Sequence, residues 1–72
     1  MQKTTYYDAM LRARMWKEMS RAELSRRSGV NVTMLYNYET GKTVPGLLAV
    51  MSLADALGVS IDNYVGYRRR DI

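Results

Sequence analysis

The side chains that most often carry catalysis are missing from this chain. It has no Cys and no His among its 72 residues, which excludes thiolate nucleophiles, disulfides, zinc fingers and imidazole acid–base chemistry. Serines are present, but with no His, Cys or paired-carboxylate pocket nothing activates them. Neither an enzyme nor a cofactor is expected. The chain offers a polar stripe instead. Across residues 20–41, SRAELSRRSGVNVTMLYNYETG, two short helical stretches flank a turn at Gly29. On the second stretch Leu35 and Tyr38 share a face by i, i+3 spacing and are expected to point inward. The opposite face then carries Val32, Thr33, Tyr36, Asn37 and Thr40 and no acid, as a helix approaching phosphates and base edges requires. An ordinary helical hairpin with a polar outside fits the same spacing, so spacing alone leaves both readings open.

Charge narrows the partner. Lys and Arg together number 11 against 7 acids, a formal net charge of +4, which favours an anionic partner. Residues 1–45 hold eight of the basic groups and four acids, residues 46–67 only Asp55 and Asp62, and residues 68–72 Arg68, Arg69 and Arg70 against Asp71. A polyanion site is therefore expected in the first two-thirds of the chain. The tail is read as solubilising, with an accessory phosphate contact as the alternative. Hydrophobic residues make up 47% and charged residues 25%, an ordinary globular composition. One domain over 1–67 with a basic tail at 68–72 is expected. No apolar run approaches the roughly 18 residues of a membrane span, and the first residues lack a secretory pattern, so a cytoplasmic protein is expected.

The elements that must hold the stripe are marked by caps and glycines. Thr5-Tyr6-Tyr7-Asp8 reads as a capped start for a first helix over about 6–17, with Met10, Met15 and Leu11 on its apolar side. Ser20-Arg21-Ala22-Glu23 reads as a reciprocal capping box opening a second helix that stops at Gly29. Small Ala22 and Ser25 suit the helix crossing, and Leu24, Val30 and Leu35 form an apolar plug beneath the turn. Asn31 caps a third helix running to Thr40 and Gly41. Val44-Pro45-Gly46 breaks the chain. A fourth helix from Leu47 to Leu57 then places Leu47, Val50, Met51, Ala54 and Leu57 on one face, with Leu48 outside. Ser60 caps a last short helix over 61–65, where Ile61 is expected to close the core. The result is an all-α, compact five-helix domain.

These residues carry a family resemblance over about 10–66. The segment resembles the helix-turn-helix DNA-binding domain of the phage repressor and Cro class, also called lambda-repressor-like or XRE-type. Met19-Ser20-Arg21-Ala22-Glu23-Leu24 is similar to the family's "L-S-Q-x-E-L", Gly29-Val30-Asn31 to its turn, and Glu39-Thr40-Gly41-Lys42 to its "E-x-G-K". Pro45 and the run from Leu53 through Ala54, Asp55, Ala56, Leu57, Gly58, Val59, Ser60 and Ile61 to Asp62 resemble its fourth helix and exit. Ser25 stands where Ala is common, and Val32 and Thr33 where Gln or Ser is common.

The resemblance implies roles. Arg14 and Glu39 match a structural ion pair that fixes the third helix to the first. Val32, Thr33, Tyr36 and Asn37 match the positions inserted into the major groove, on a recognition helix over about 32–40. Asn37 suits a bidentate contact to adenine, and the Val32 and Thr33 methyls suit thymine. Arg21, at a helix start that already favours anions, and Lys42 and Thr43 in the following loop are the expected phosphate contacts. Leu48, Tyr64, Val65 and Tyr67 are candidates for an apolar dimer face. The implied partner is double-stranded DNA, bound by a homodimer on a pseudo-palindromic operator with no small-molecule effector. The rival readings are an antitoxin-like module that binds a protein partner, and a controller protein of a restriction–modification system.

Overall fold

The computed structural model of the chain describes residues 5–64. Among them are five helices and no strand: α1 (Tyr6–Trp16), α2 (Arg21–Ser28), α3 (Val32–Glu39), α4 (Leu47–Leu57) and α5 (Ile61–Tyr64). This is the expected all-α architecture, and no helix is long and apolar enough to cross a membrane. Short polar side chains set most of the starts. Thr5 Oγ1 accepts from the Asp8 amide at 3.2 Å, Ser20 Oγ from Glu23 at 3.0 Å, Asn31 Oδ1 from Thr33 at 2.7 Å and Ser60 Oγ from Asn63 at 3.2 Å. Each satisfies an amide that has no partner inside its helix. The ends of α1, α3 and α4 share one geometry, a Schellman closure. The amides of Met19, Lys42 and Val59 donate back to the carbonyls of Arg14 (3.2 Å), Asn37 (2.9 Å) and Ala54 (3.0 Å). The closure needs a left-handed residue, supplied by Gly41 and Gly58 and, after α1, by Glu18 at φ 54°.

Every helix contributes to one core. Met10, Leu24, Leu35, Leu53 and Tyr64 have no exposed surface, and Tyr38 and Leu57 are nearly as buried. α2 rests on α4, α1 on α5, and α3 on both α1 and α2. The inner side of α3 is thus fully used, as Leu35 and Tyr38 were expected to use it, while Val32, Thr33 and Tyr36 remain exposed.

Packing corrects several inward assignments. Met15 is exposed, whereas α1 buries Met10, as expected, together with Ala9. On α4, Leu47 and Met51 are exposed, and the buried stripe is Val50, Leu53, Ala54 and Leu57. This helix is apolar at most positions, so its sequence contains two stripes of helical spacing; the neighbouring helices take the one containing Leu53. Ile61 does not close the core but is exposed on the first turn of α5. Ala22 is exposed as well. Beside the turn it is Ser25 whose hydroxyl is drawn in, donating to the Val30 carbonyl at 2.6 Å. Glu23 does not reach back to Ser20: its Oε2 meets Arg27 Nη2 at 2.8 Å, a charge-assisted i, i+4 pair that outcompetes a neutral amide.

Tyr64 needs the largest correction. Expected on a dimer face, it is fully buried, so its side chain offers no surface to a second molecule. Its hydroxyl has no hydrogen-bond partner among the described residues. Burial, and then the negative charge of Glu39, pushes its pKa well above the ordinary tyrosine value. Val65, Tyr67 and the Arg68, Arg69 and Arg70 tail lie outside the described residues.

Two predictions follow from this packing. Gly41 and Gly29 both have φ 81°, but a Cβ on Gly41 would sit 2.9 Å from the Tyr7 ring, whereas Gly29 faces open space. Gly29→Ala is expected to cost about 1–2 kcal/mol for the left-handed backbone alone. Gly41→Ala is expected to cost measurably more in chemical denaturation; equal losses would show that the Tyr7 contact carries no weight. For Tyr64, the folded-state pKa lies above an unfolded value of about 10. Its contribution is therefore constant below that pH and declines above it, as the unfolded chain releases the proton first. Tyr64→Phe is expected to keep or raise neutral-pH stability by up to about 1 kcal/mol and to flatten the alkaline decline in thermal melts. A large loss at neutral pH would contradict an unpartnered hydroxyl.

Candidate nucleic-acid interface

The α2–α3 pair is locked at its turn before any side chain faces outward. Gly29 ends α2 in the left-handed region, its amide donating to the Ser25 carbonyl. Ser28 Oγ accepts from the Val30 amide at 3.1 Å, and Asn31 caps α3 directly afterwards. Beyond the turn α3 packs on both α1 and α2 and keeps one side clear of the body. That side carries Val32 (43% exposed), Tyr36 (45%) and Thr33, with Asn37 half-buried beside them. The Asn37 carbonyl accepts from the amides of Lys42 and Thr43, while its side-chain amide takes no part in that network. The Thr40 hydroxyl is turned back onto its own helix, donating to the Tyr36 carbonyl at 2.8 Å.

The one acid of α3 is hidden. Glu39 is the buried charged residue of the described chain, and its side chain has no exposed surface. Arg14 reaches it from α1 as the expected ion pair, and the contact is bidentate, Nε to Oε2 at 2.8 Å and Nη2 to Oε1 at 3.0 Å. The remaining Arg14 nitrogen, Nη1, donates to the Met19 carbonyl at 2.9 Å, tying the pair to the turn before α2. A second arginine also arrives. Arg21 Nε donates to Glu39 Oε1 at 2.8 Å, so one carboxylate joins α1, α2 and α3 through three charge-assisted hydrogen bonds. Two cations on one anion leave a surplus positive charge. It lies on the Arg21 side, since the Arg21 side chain is 36% exposed and that of Arg14 only 12%.

The sequence placed Arg21 at a phosphate and did not anticipate its bond to Glu39. The signal available was its type: arginine replaces the glutamine of the family pattern, and a guanidinium offers a carboxylate a charge-assisted bond that a neutral amide does not. Beyond Glu39, the Arg21 guanidinium lies 5.1 Å from the centroid of the Tyr36 ring, and Lys42 Nζ lies 5.6 Å from the same centroid. The loop carrying Lys42 is fixed from both directions. Its amides hold the Asn37 carbonyl, and the Tyr6 hydroxyl donates to the Thr43 carbonyl at 3.1 Å. Thr43 itself is half-buried. Arg26 and Arg27 are both exposed, and Arg27 pairs with Glu23. On another part of the surface Leu47, Leu48 (78%), Met51 and Ile61 are exposed, and Trp16 at the end of α1 is 83% exposed.

The chain matches the helix-turn-helix family over residues 10–63, a span from the second turn of α1 into α5. Comparison with curated proteins and with solved structures gave no match.

The Glu39 cluster makes a direct prediction. Glu39→Ala strands two arginines and is expected to destabilise the fold by roughly 2–4 kcal/mol. Arg14→Ala is expected to cost more than Arg21→Ala, because the Arg21 pair is partly open to solvent and screened. Urea unfolding of the three variants checks the order; an unchanged midpoint for Glu39→Ala would remove Glu39 from its structural role.

Proposed function

The chain belongs to the helix-turn-helix family of the phage repressor and Cro class, a family of sequence-specific DNA-binding transcription regulators, and on that premise we propose that it occupies a pseudo-palindromic operator as a dimer. The observation that carries this reading is the pairing of an exposed, acid-free α3 face with a buried Glu39. The helix keeps the carboxylate it needs for anchoring and shows none of it to a polyanion.

In this reading Val32, Thr33 and Asn37 meet base edges in the major groove. The methyls of the first two suit thymine, and the Asn37 amide suits adenine N6 and N7. Arg21 and Lys42 at the two ends of the unit, with Thr43, meet the flanking phosphates, which set register and carry no sequence information. The exposed apolar residues Leu48, Met51 and Ile61, in a part of the chain poor in charge, support pairing of two copies. Their recognition helices would then stand about 34 Å apart on one face of the duplex. Such a regulator works in the bacterial cytoplasm, where its operator is.

The exposed Trp16 and Leu48 also favour a second reading, an antitoxin-like module for which DNA is secondary. A stoichiometric protein partner in a pull-down, with no binding to duplex DNA by the isolated chain, would select it.

The primary reading is tested by selecting bound sequences from random duplex DNA. The expected product is a short site with twofold symmetry. Repeated with Asn37→Ala, the selection is expected to lose preference at one base pair per half-site, a change of about 1–3 kcal/mol there. An unaltered site for that variant would show that α3 does not read bases through Asn37.

A further inference from the structure

Tyr36 sits in the middle of the outward face of α3, where the pattern suggests a base-reading residue, yet its ring already has two partners. The Arg21 guanidinium approaches from the start of α2 at 5.1 Å, and the Lys42 ammonium from the loop after α3 at 5.6 Å. Both distances fall within the range at which a cation is attracted to an aromatic face. Each partner is also held independently of the ring. Arg21 Nε is fixed by Glu39 at 2.8 Å, and the Lys42 backbone is fixed by the Asn37 carbonyl at 2.9 Å. Two cations drawn to one ring repel each other, and among the described residues the only carboxylate bonded to either of them, Glu39, is shared with Arg14 and buried. The arrangement is electrostatically incomplete in a way that an external anion would relieve.

We propose that Tyr36 is a positioning residue that holds Arg21 and Lys42 as a two-point clamp for the phosphates of the DNA backbone, and that it does not itself choose the base sequence. The inference rests on the DNA-binding reading above and adds a division of labour within one helix. Val32, Thr33 and Asn37 meet bases, while the tyrosine among them aims cations at the backbone. Without the ring, Lys42 would sample the many rotamers of an exposed lysine and lose entropy on each encounter with a phosphate. Arg21 would keep its Nε bond to Glu39, but its outer nitrogens would lose the surface on which they lie.

The test measures binding of the wild type, Tyr36→Leu and Tyr36→Phe to the selected site and to a random duplex, across a range of salt concentrations. Circular dichroism confirms that the variants are folded, as expected for an exposed position. Tyr36→Leu is expected to weaken both duplexes by the same factor, about five- to thirtyfold for two exposed cation–π contacts. It is also expected to reduce the slope of log K against log salt by about 1, leaving the ratio of specific to random binding unchanged. Tyr36→Phe, which keeps the ring, is expected to restore both affinity and slope. A changed ratio with an unchanged slope would make Tyr36 a base reader and overturn the proposal. So would a Phe variant as weak as the Leu variant, since the hydroxyl would then be the acting group. A wild type that binds neither duplex would overturn the DNA-binding reading itself, and the clamp with it; that outcome is distinct from a failure seen only in the variants.

Discussion

A carboxylate with no access to water, answered by two arginines from two other helices, is the constraint on which the rest of this small domain depends. Burying Glu39 is costly unless its oxygens are fully bonded. The bonds come from Arg14 on α1 and Arg21 on α2, so the cost can be met only when all three helices stand in one relative orientation. In a larger protein a hydrophobic core could fix that orientation alone. In this domain the core is small, and a directional, charge-assisted contact adds the angular precision that apolar packing lacks. The same arrangement serves recognition. The acid is consumed inside, and part of the Arg21 side chain is left outside beside Tyr36.

The loops carry this precision outward. The closure of α3 at Gly41 turns the chain so that Lys42 comes back over Tyr36, and Tyr6 pins the following carbonyl from α1. The start of α2, the outer face of α3 and the loop after it therefore form one surface with a common anchor. In contrast, the exposed apolar residues of α4 and α5 take no part in this network.

Much of this was legible in the sequence, because capping and glycine chemistry are local. Ser20, Asn31, Gly29, Gly41 and Gly58 mark helix limits that tertiary packing does not override, and the limits of α4 coincide with the expected ones. Leu35 and Tyr38 were legible from their i, i+3 spacing, although Val32, Met34 and Tyr36 make α3 apolar at other positions too. Less legible was anything decided between helices. On α4 two apolar stripes compete, and nothing within the helix says that Leu53 rather than Met51 meets the core. Ile61 and Tyr64 lie three residues apart on a four-residue helix, too short for periodicity to tell core from surface. At the site, the Arg14–Glu39 pair came from a family pattern, whereas the second arginine did not, because Arg21 takes a partner eighteen positions away that no local rule connects to it.

The central claim is that the surface organised by Glu39 is the surface that meets DNA. Amide chemical-shift mapping of the full chain during titration with its selected duplex tests it most directly. The account predicts perturbations concentrated at Arg21, at Val32, Thr33, Tyr36 and Asn37, and at Lys42 and Thr43, with the buried stripe of α4 little affected. Perturbations centred on Trp16 or Leu48, with α3 unmoved, would contradict it.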